Sequence, residues 1–212
     1  MLHRYSHIVW DWNGTILDDI DLLVDITNQQ LSEAGLPILN REQYRRDFSH
    51  PVSDFYTRLG FDLSTRSFAD IGADFHRRYA TLRHGVTLHN GAKNVLGKIT
   101  SSGKTQSVLS AHQQEMLNYI VGHHGLSGHF SEICGLKEYT ANSKLELGKE
   151  WLATKEFKKE SVVMIGDTDH DYEVANALGI DCILVSHGLQ SHERLLRLGV
   201  PVIEGLEELI GA

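Results

Sequence analysis

Cysteine, proline and long apolar runs are all scarce in this chain. Its 212 residues include only two cysteines, Cys134 and Cys182, with no CxxC spacing. That excludes a disulfide framework and a cysteine-based zinc site, and it fits a reducing compartment. No stretch approaches the roughly 20 apolar residues of a membrane span, and the opening MLHRYSHIVWD has no signal-peptide core. Lysine is missing from the first 92 residues, and the formal net charge is −8, which offers no long-range attraction to nucleic acid or anionic membrane. The expectation is a soluble, cytoplasmic protein with no nucleic-acid or membrane partner, and nothing specifies an oligomeric state. An anionic ligand would then need a local positive centre, either a metal or a few placed bases. Also missing are a Walker-type P-loop, a Gly-Xaa-Gly dinucleotide fingerprint, a nucleophile elbow and zinc-ligand spacing.

What is present is ordinary globular composition, 41% hydrophobic and 23% charged, over a length that suits one large domain or a domain carrying an insertion. From residue 91 onward, apolar runs alternate with helical stretches. QSVLS at 106–110, EICGL at 132–136, SVVMIGD at 161–167 and CILVS at 182–186 read as strands. Helical patterns lie between them, including 169–178 and 191–198, and a short strand–helix pair closes the series. Continuous β-branched runs separated by helices predict a parallel sheet covered on both faces, an α/β, Rossmann-like core. Residues 18–83 differ. Ile20, Leu23, Val24, Thr27, Leu31 and Ala34 repeat at helical spacing until Gly35 and Pro37 stop them. Asn40 with Gln43 resembles a capping box, and Phe68, Ile71, Phe75, Tyr79 and Leu82 form another stripe. No strand is evident there, so the segment reads as an all-helical insertion; it holds eight arginines and no lysine.

Ligands of such sheets sit at the carboxyl ends of the strands, and Asp11, Ser110 and Asp167 each fall at a predicted strand end. In GDTDHD (166–171), acids in the first turn of a helix stabilise it by roughly 0.3–1 kcal/mol each, which is the plain account of Asp169 and Asp171. It does not account for Asp167, beside Gly166 and on the same edge as Asp11. Two carboxylates converging there repel unless a cation joins them, and hard oxygen ligands suit Mg²⁺. Lys144 stands in SKLE, where Ser143 and Glu146 read as a capping box. A lysine in a first turn has the wrong sign for the helix dipole, so it reads either as a surface residue or as one that points to the sheet edge and neutralises an anion. Ser110, followed by Ala111 and His112 opening a helix, reads as a phosphate site at a helix N-terminus or simply as an N-cap.

DWNGT, VLSAH, NSK and IGDTDHD, in this order and spacing, resemble the four signature motifs of the haloacid dehalogenase superfamily. The helical insertion resembles the mobile cap of its phosphoglycolate phosphatase-like branch, and the likeness covers essentially the whole chain. It implies a core of residues 1–17 and 84–212 with a cap of 18–83. It implies a Mg²⁺-dependent phosphatase acting on a small phosphorylated metabolite, with Asp11 as the nucleophile that forms an aspartyl-phosphate. Thr15, Ser110, Ala111 and Lys144 would bind the phosphoryl group. Asp11, Asp167 and the backbone carbonyl of Asn13 would hold the metal, with Asp171 behind them. RRDFSHP (45–51) resembles the cap's specificity loop, making Arg45, Arg46 and His50 either substrate contacts or solvated side chains.

The pattern breaks at Asn13. The family's phosphatases carry an acid there, which protonates the leaving group and then activates water. An amide cannot, and such help is typically worth about 10²–10⁴-fold. Three readings stay open: substrates with good leaving groups, a weak or inactive member that binds a phosphate ligand or acts in regulation, or an engineered substitution that traps a complex.

Overall fold

The computed structural model describes residues 1–137 and 144–211. β1 (His7–Trp10), β4 (Thr105–Gln113), β5 (Glu132–Leu136), β6 (Val162–Gly166), β7 (Asp181–Val185) and β8 (Val202–Ile203) form one sheet in the order β5-β4-β1-β6-β7-β8, and every pairing is parallel. The apolar runs bury both faces by strict alternation. Ile8, Trp10, Val163, Ile165 and Ile183 point into one core with α5 (Ala92–Ser101) and α6 (Gln114–His123). Val9, Leu109, Met164, Cys182 and Leu184 point into the other, covered by α7 (Lys144–Ala153) and α8 (Asp169–Leu178). That two-sided burial is why the runs read as continuously apolar.

Between β1 and α5 the chain makes α1 (Ile20–Glu33), α2 (Arg41–Asp47), α3 (Val52–Arg58) and α4 (Phe68–Leu82). These helices bury their own apolar cluster, which includes Ile26, Leu31, Phe55 and Ile71 and receives Leu189 from outside the helical segment. The Asn40–Gln43 capping box is present, with backbone-to-side-chain bonds of 2.9 and 2.8 Å. Gly35 ends α1 with φ +68°. A two-residue ribbon, β2 (Leu17–Asp18) against β3 (Thr87–Leu88), clasps the points where the chain leaves and re-enters the core. Strands this short leave no periodicity to read.

Two sequence expectations are corrected. The helix expected from Ala111 begins at Gln114; β4 continues through Gln113, with a register shift against β5 between Leu109 and Gln113. Gln113 is the residue that caps α6, accepting from Met116 N at 2.9 Å. The closing helix is a 3-10 turn, Leu206–Ile210. The expected capping role of Ser143 lies outside the described residues. Among the described residues no helix is long and apolar enough to cross a membrane.

His7, at the amino end of the central strand β1, shows how tightly that end of the sheet is packed. It is buried, stacked on Phe157 at 4.4 Å between ring centroids, with Nδ1 2.7 Å from Thr105 Oγ1 and Nε2 unpartnered. Burial pushes its pKa down to about 4. A folded pKa below the unfolded value of about 6.5 means that protons favour the unfolded chain. The stability held by neutral His7 is therefore complete above about pH 6.5 and drains away as pH falls toward 4. Between pH 7 and 5 the protein should lose about 1–2 kcal/mol more than a His7→Gln variant; denaturant unfolding at the two pH values checks this.

Candidate active site

From β1 the chain passes to its sheet neighbour β4, whereas from β6 it passes to β7 on the opposite side. The carboxyl ends of β1 and β6 therefore border a topological switch point, where α/β sheets open a crevice. Asp11 follows β1, its N–H donating to Ile165 O at 2.8 Å, and Asp167 follows β6. The first residue of α7, Lys144, and the first turn of α8, with Asp171, close on the same point. Asp11, Asp167 and Asp171 are buried, each offering a carboxylate oxygen within 4.8 Å of the others.

Lys144 binds two of them. Its Nζ donates to Asp11 Oδ1 and, at 2.5 Å, to Asp171 Oδ1. The other oxygen of Asp171 accepts from the N–H groups of Asp167 (3.1 Å) and Thr168 (3.0 Å) and from the Thr168 hydroxyl (2.7 Å). Asp171 is thus both a helix cap and a partner of Lys144. Thr15 Oγ1 donates to Asp167 Oδ1 at 2.8 Å and lies 3.4 Å from Asp11 Oδ2, so it ties the two strand-end acids together. Leu189 N donates to Asp167 Oδ2 at 2.6 Å.

The electrostatics follow from burial. Burial raises the Asp11 pKa to about 7, opposed by Lys144 and reinforced by Asp171. Burial also raises Asp167 well above its usual range, with Asp11 and Asp171 adding to the push. Lys144 overrides burial to hold Asp171 low, and the two acids in turn override burial to hold Lys144 charged. Fully ionised, three buried carboxylates facing one ammonium would carry an excess of negative charge. An all-oxygen donor set of that charge fits a hard divalent cation.

Ser110 is buried inside β4, its Oγ accepting from His112 N at 3.2 Å; with α6 starting at Gln114, Ser110 is not at a helix N-terminus. Ala111 is exposed beside it. Asn13 turns its amide to Asp19 and Tyr79, with Nδ2 2.6 Å from Asp19 Oδ2 and 2.9 Å from Tyr79 Oη. Arg45 donates to the carbonyls of Ser186, Gly188 (2.9 Å) and Gln190 (3.2 Å). It thereby holds the loop whose Leu189 N–H holds Asp167. His50 stacks on His170 with centroids 4.5 Å apart, and Arg46 pairs with Asp47 at 2.8 Å. Other arginines of the helical segment meet its acids: Arg41 meets Asp21, and Arg66, Arg77 and Arg78 meet Asp74.

Sequence reading missed Asp19, Tyr79, His89 and His187. His89 Nε2 lies 2.9 Å from Gly14 O and His187 Nε2 lies 3.0 Å from Thr15 O, with their rings stacked 3.5 Å apart behind the loop that carries Asp11. No motif marks these histidines. Asp19 offered one faint signal, its place before α1, yet its side chain does not cap that helix.

Glycine is required where backbone meets carboxylate. A Cβ at Gly188 would sit 2.2 Å from Asp167 Oδ2 and 2.5 Å from Gly14 O. Gly188→Ala should displace Asp167, lower the melting temperature by several degrees and leave that temperature unmoved by added Mg²⁺. Thermal scans with and without Mg²⁺ measure both effects.

Residues 8–185 match the family described as haloacid dehalogenase-like hydrolase. The chain is 24% identical over 183 residues to the tyrosine-protein kinase PtkA of Mycobacterium tuberculosis, covering 85% of this chain and 62% of that protein, so it spans less than two thirds of that relative's length. It is 22% identical over 215 residues to a phosphoglycolate phosphatase of Vibrio parahaemolyticus, covering 96% of this chain and 93% of that protein. A solved haloacid dehalogenase-like hydrolase from Streptococcus pneumoniae shares the fold with a TM-score of 0.84 at 17% identity, over 98% of this chain and 97% of that one. With its parallel sheet and buried acids in place, the chain belongs to the haloacid dehalogenase-like hydrolase family.

Proposed function

We propose that the chain is a Mg²⁺-dependent phosphatase that hydrolyses a small phosphorylated metabolite through an aspartyl-phosphate on Asp11. The observation that carries this reading is the Lys144 ammonium bridging Asp11 and Asp171, with Asp167 in the same buried cluster. An Asp11 oxygen attacks phosphorus and the bond to the leaving group breaks; water then attacks the phosphorus of the aspartyl-phosphate and releases Asp11 and phosphate. Lys144 balances charge on Asp11 and on the incoming phosphoryl oxygens, and Ser110 with Ala111 binds those oxygens. Asp11, Asp167 and the Asn13 carbonyl would hold Mg²⁺, with Asp171 behind them. When bound, the ion would neutralise phosphoryl charge. In this reading residues 18–83 form a cap over a core of 1–17 and 84–212, with His50 on the substrate side of that cap.

The near-complete overlap with a phosphatase-named relative supports this reading, whereas the kinase-named relative is matched over only part of its length. A second reading, a phosphate-ligand-binding protein with little or no turnover, is favoured by Asn13 alone.

A panel of phosphorylated metabolites, assayed for phosphate release, separates the two. Turnover should require Mg²⁺, be abolished by EDTA and fall by at least about 10³-fold in Asp11→Ala. Phosphate binding without release on any substrate would reject the hydrolase reading.

A further inference from the structure

Asn13 stands where a departing alkoxide would look for a proton, and its surroundings determine what the amide can offer. Both hydrogens of Nδ2 are engaged, one by Asp19 Oδ2 at 2.6 Å and one by Tyr79 Oη at 2.9 Å. Tyr79, on α4, donates its own hydrogen to Asp19 Oδ2 at 2.9 Å. The N–H of Gly14 donates to Asp19 Oδ1 at 3.0 Å. Asp19 is 1% exposed, so these donors replace its water. The network therefore runs in one sense: Asp19 accepts, Tyr79 donates to it, and Asn13 gives both hydrogens inward. Oδ1 is left as the only polar atom of the amide with no hydrogen bond among the described residues. Turning the amide over would set Oδ1 against a carboxylate and forfeit the bond to Asp19, worth about 1.5–3 kcal/mol because its acceptor is charged, and the weaker one to the neutral Tyr79 hydroxyl.

We propose that Asp19 and Tyr79 hold Asn13 as an acceptor-only group, so that the site takes phosphates whose leaving group departs as a weakly basic anion, acyl phosphates and phosphoanhydrides, in preference to alkyl phosphate esters. The inference rests on the hydrolase reading above and narrows its substrate. In the first step an Asp11 oxygen bonds to phosphorus, the bond from phosphorus to the leaving oxygen breaks, and the electron pair departs on a carboxylate or phosphate oxygen that needs no proton at neutral pH. An alkoxide would need one, and no hydrogen on Asn13 or Asp19 is available to it. The aspartyl-phosphate is itself an acyl phosphate. Water bonds to its phosphorus, the Asp11 carboxylate leaves unprotonated, and one water proton passes to a phosphoryl oxygen. Oδ1 of Asn13 can accept a hydrogen bond from that water without acting as a base. Asp19 and Tyr79 are positioning residues in this scheme, because they act through Asn13.

The test compares kcat/KM, with Mg²⁺ present, for acetyl phosphate, p-nitrophenyl phosphate, phenyl phosphate and glycerol 1-phosphate. Efficiency should fall with the basicity of the leaving group, with acetyl phosphate at least about 10²-fold above glycerol 1-phosphate. The double variant Asn13→Asp/Asp19→Asn keeps one carboxylate and one amide in the pair but exchanges their places. It should narrow that ratio by about tenfold or more, since position 13 regains a proton. Tyr79→Phe frees one hydrogen of Asn13 and should narrow it by a smaller factor. Ratios between substrates do not depend on the fraction of protein that folds, so a destabilised variant still reports. A wild-type ratio within about threefold, or a ratio unchanged in both variants, overturns the inference and leaves the hydrolase reading standing. Absence of Asp11-dependent turnover on all four probes overturns the hydrolase reading and the inference with it.

Discussion

The Lys144 ammonium lies between Asp11 and Asp171 at the point where β1 and β6 hand the chain to opposite halves of the sheet. Gathering three acids there without a cation would cost several kcal/mol per uncompensated charge. One ammonium satisfies two of them; Asp167 leans on neutral donors, Thr15 Oγ1 and Leu189 N. The backbone has adapted to this crowding. A Cβ at Gly14 would meet Asp167 at 2.2 Å and one at Gly166 would meet Asp171 at 2.3 Å, so the two strand-end loops approach the carboxylates as only glycine allows. The site is thus a charge arrangement first, and the glycines follow from it.

The helical segment is tied to the same arrangement from two directions. Arg45 on α2 holds the carbonyls of the loop at 186–190, and that loop returns Leu189 N–H to Asp167 and the Leu189 side chain to the helical core. Tyr79 on α4 reaches Asn13 and Asp19, whose neighbour Gly14 abuts Asp167. The position of the helices over the sheet and the positions of the acids are therefore not independent. Moving α2 or α4 by an ångström would break hydrogen bonds that end on the loops carrying Asp11 and Asp167. Arg45, read in the sequence as a substrate contact or a solvated base, serves this linkage in the structure.

How much of this was legible in the sequence follows from the range of each interaction. β6 and α8 were read within a residue of their observed ends, because five consecutive buried residues and an acid-rich first turn are local signals. The Asn40–Gln43 box was legible for the same reason. Three of the four charged residues at the site were visible as strand-end acids or a lysine of the wrong sign for its helix, and Asp171 was visible as an acid in the first turn of a helix. The extension of β4 was not, because a strand prolonged through a register shift depends on its partner β5, not on its own pattern. The β2–β3 ribbon joins residues about 70 positions apart, and Asp19 meets Tyr79 across 60 positions. No window of sequence holds both ends of such a contact.

That distance is what made Asn13 look like a loss when read alone. An acid at position 13 with Asp19 unchanged would put its carboxylate about 2.6 Å from that of the buried Asp19, and like charges that close cannot both ionise. One would have to hold a proton, and the donors now aimed at Asp19 would lose part of their acceptor. The amide removes that conflict: it carries no charge, supplies two hydrogens, and satisfies a carboxylate that would otherwise be buried with fewer partners than its charge requires. Asn13 is therefore not a vacancy in an acid–base pair. It is one half of a matched pair with Asp19, and Tyr79 makes that match depend on the helices lying over the sheet. Physical reasoning about position 13 has to begin from the pair, because the energy that keeps an amide there resides in its neighbours and not in the motif around it.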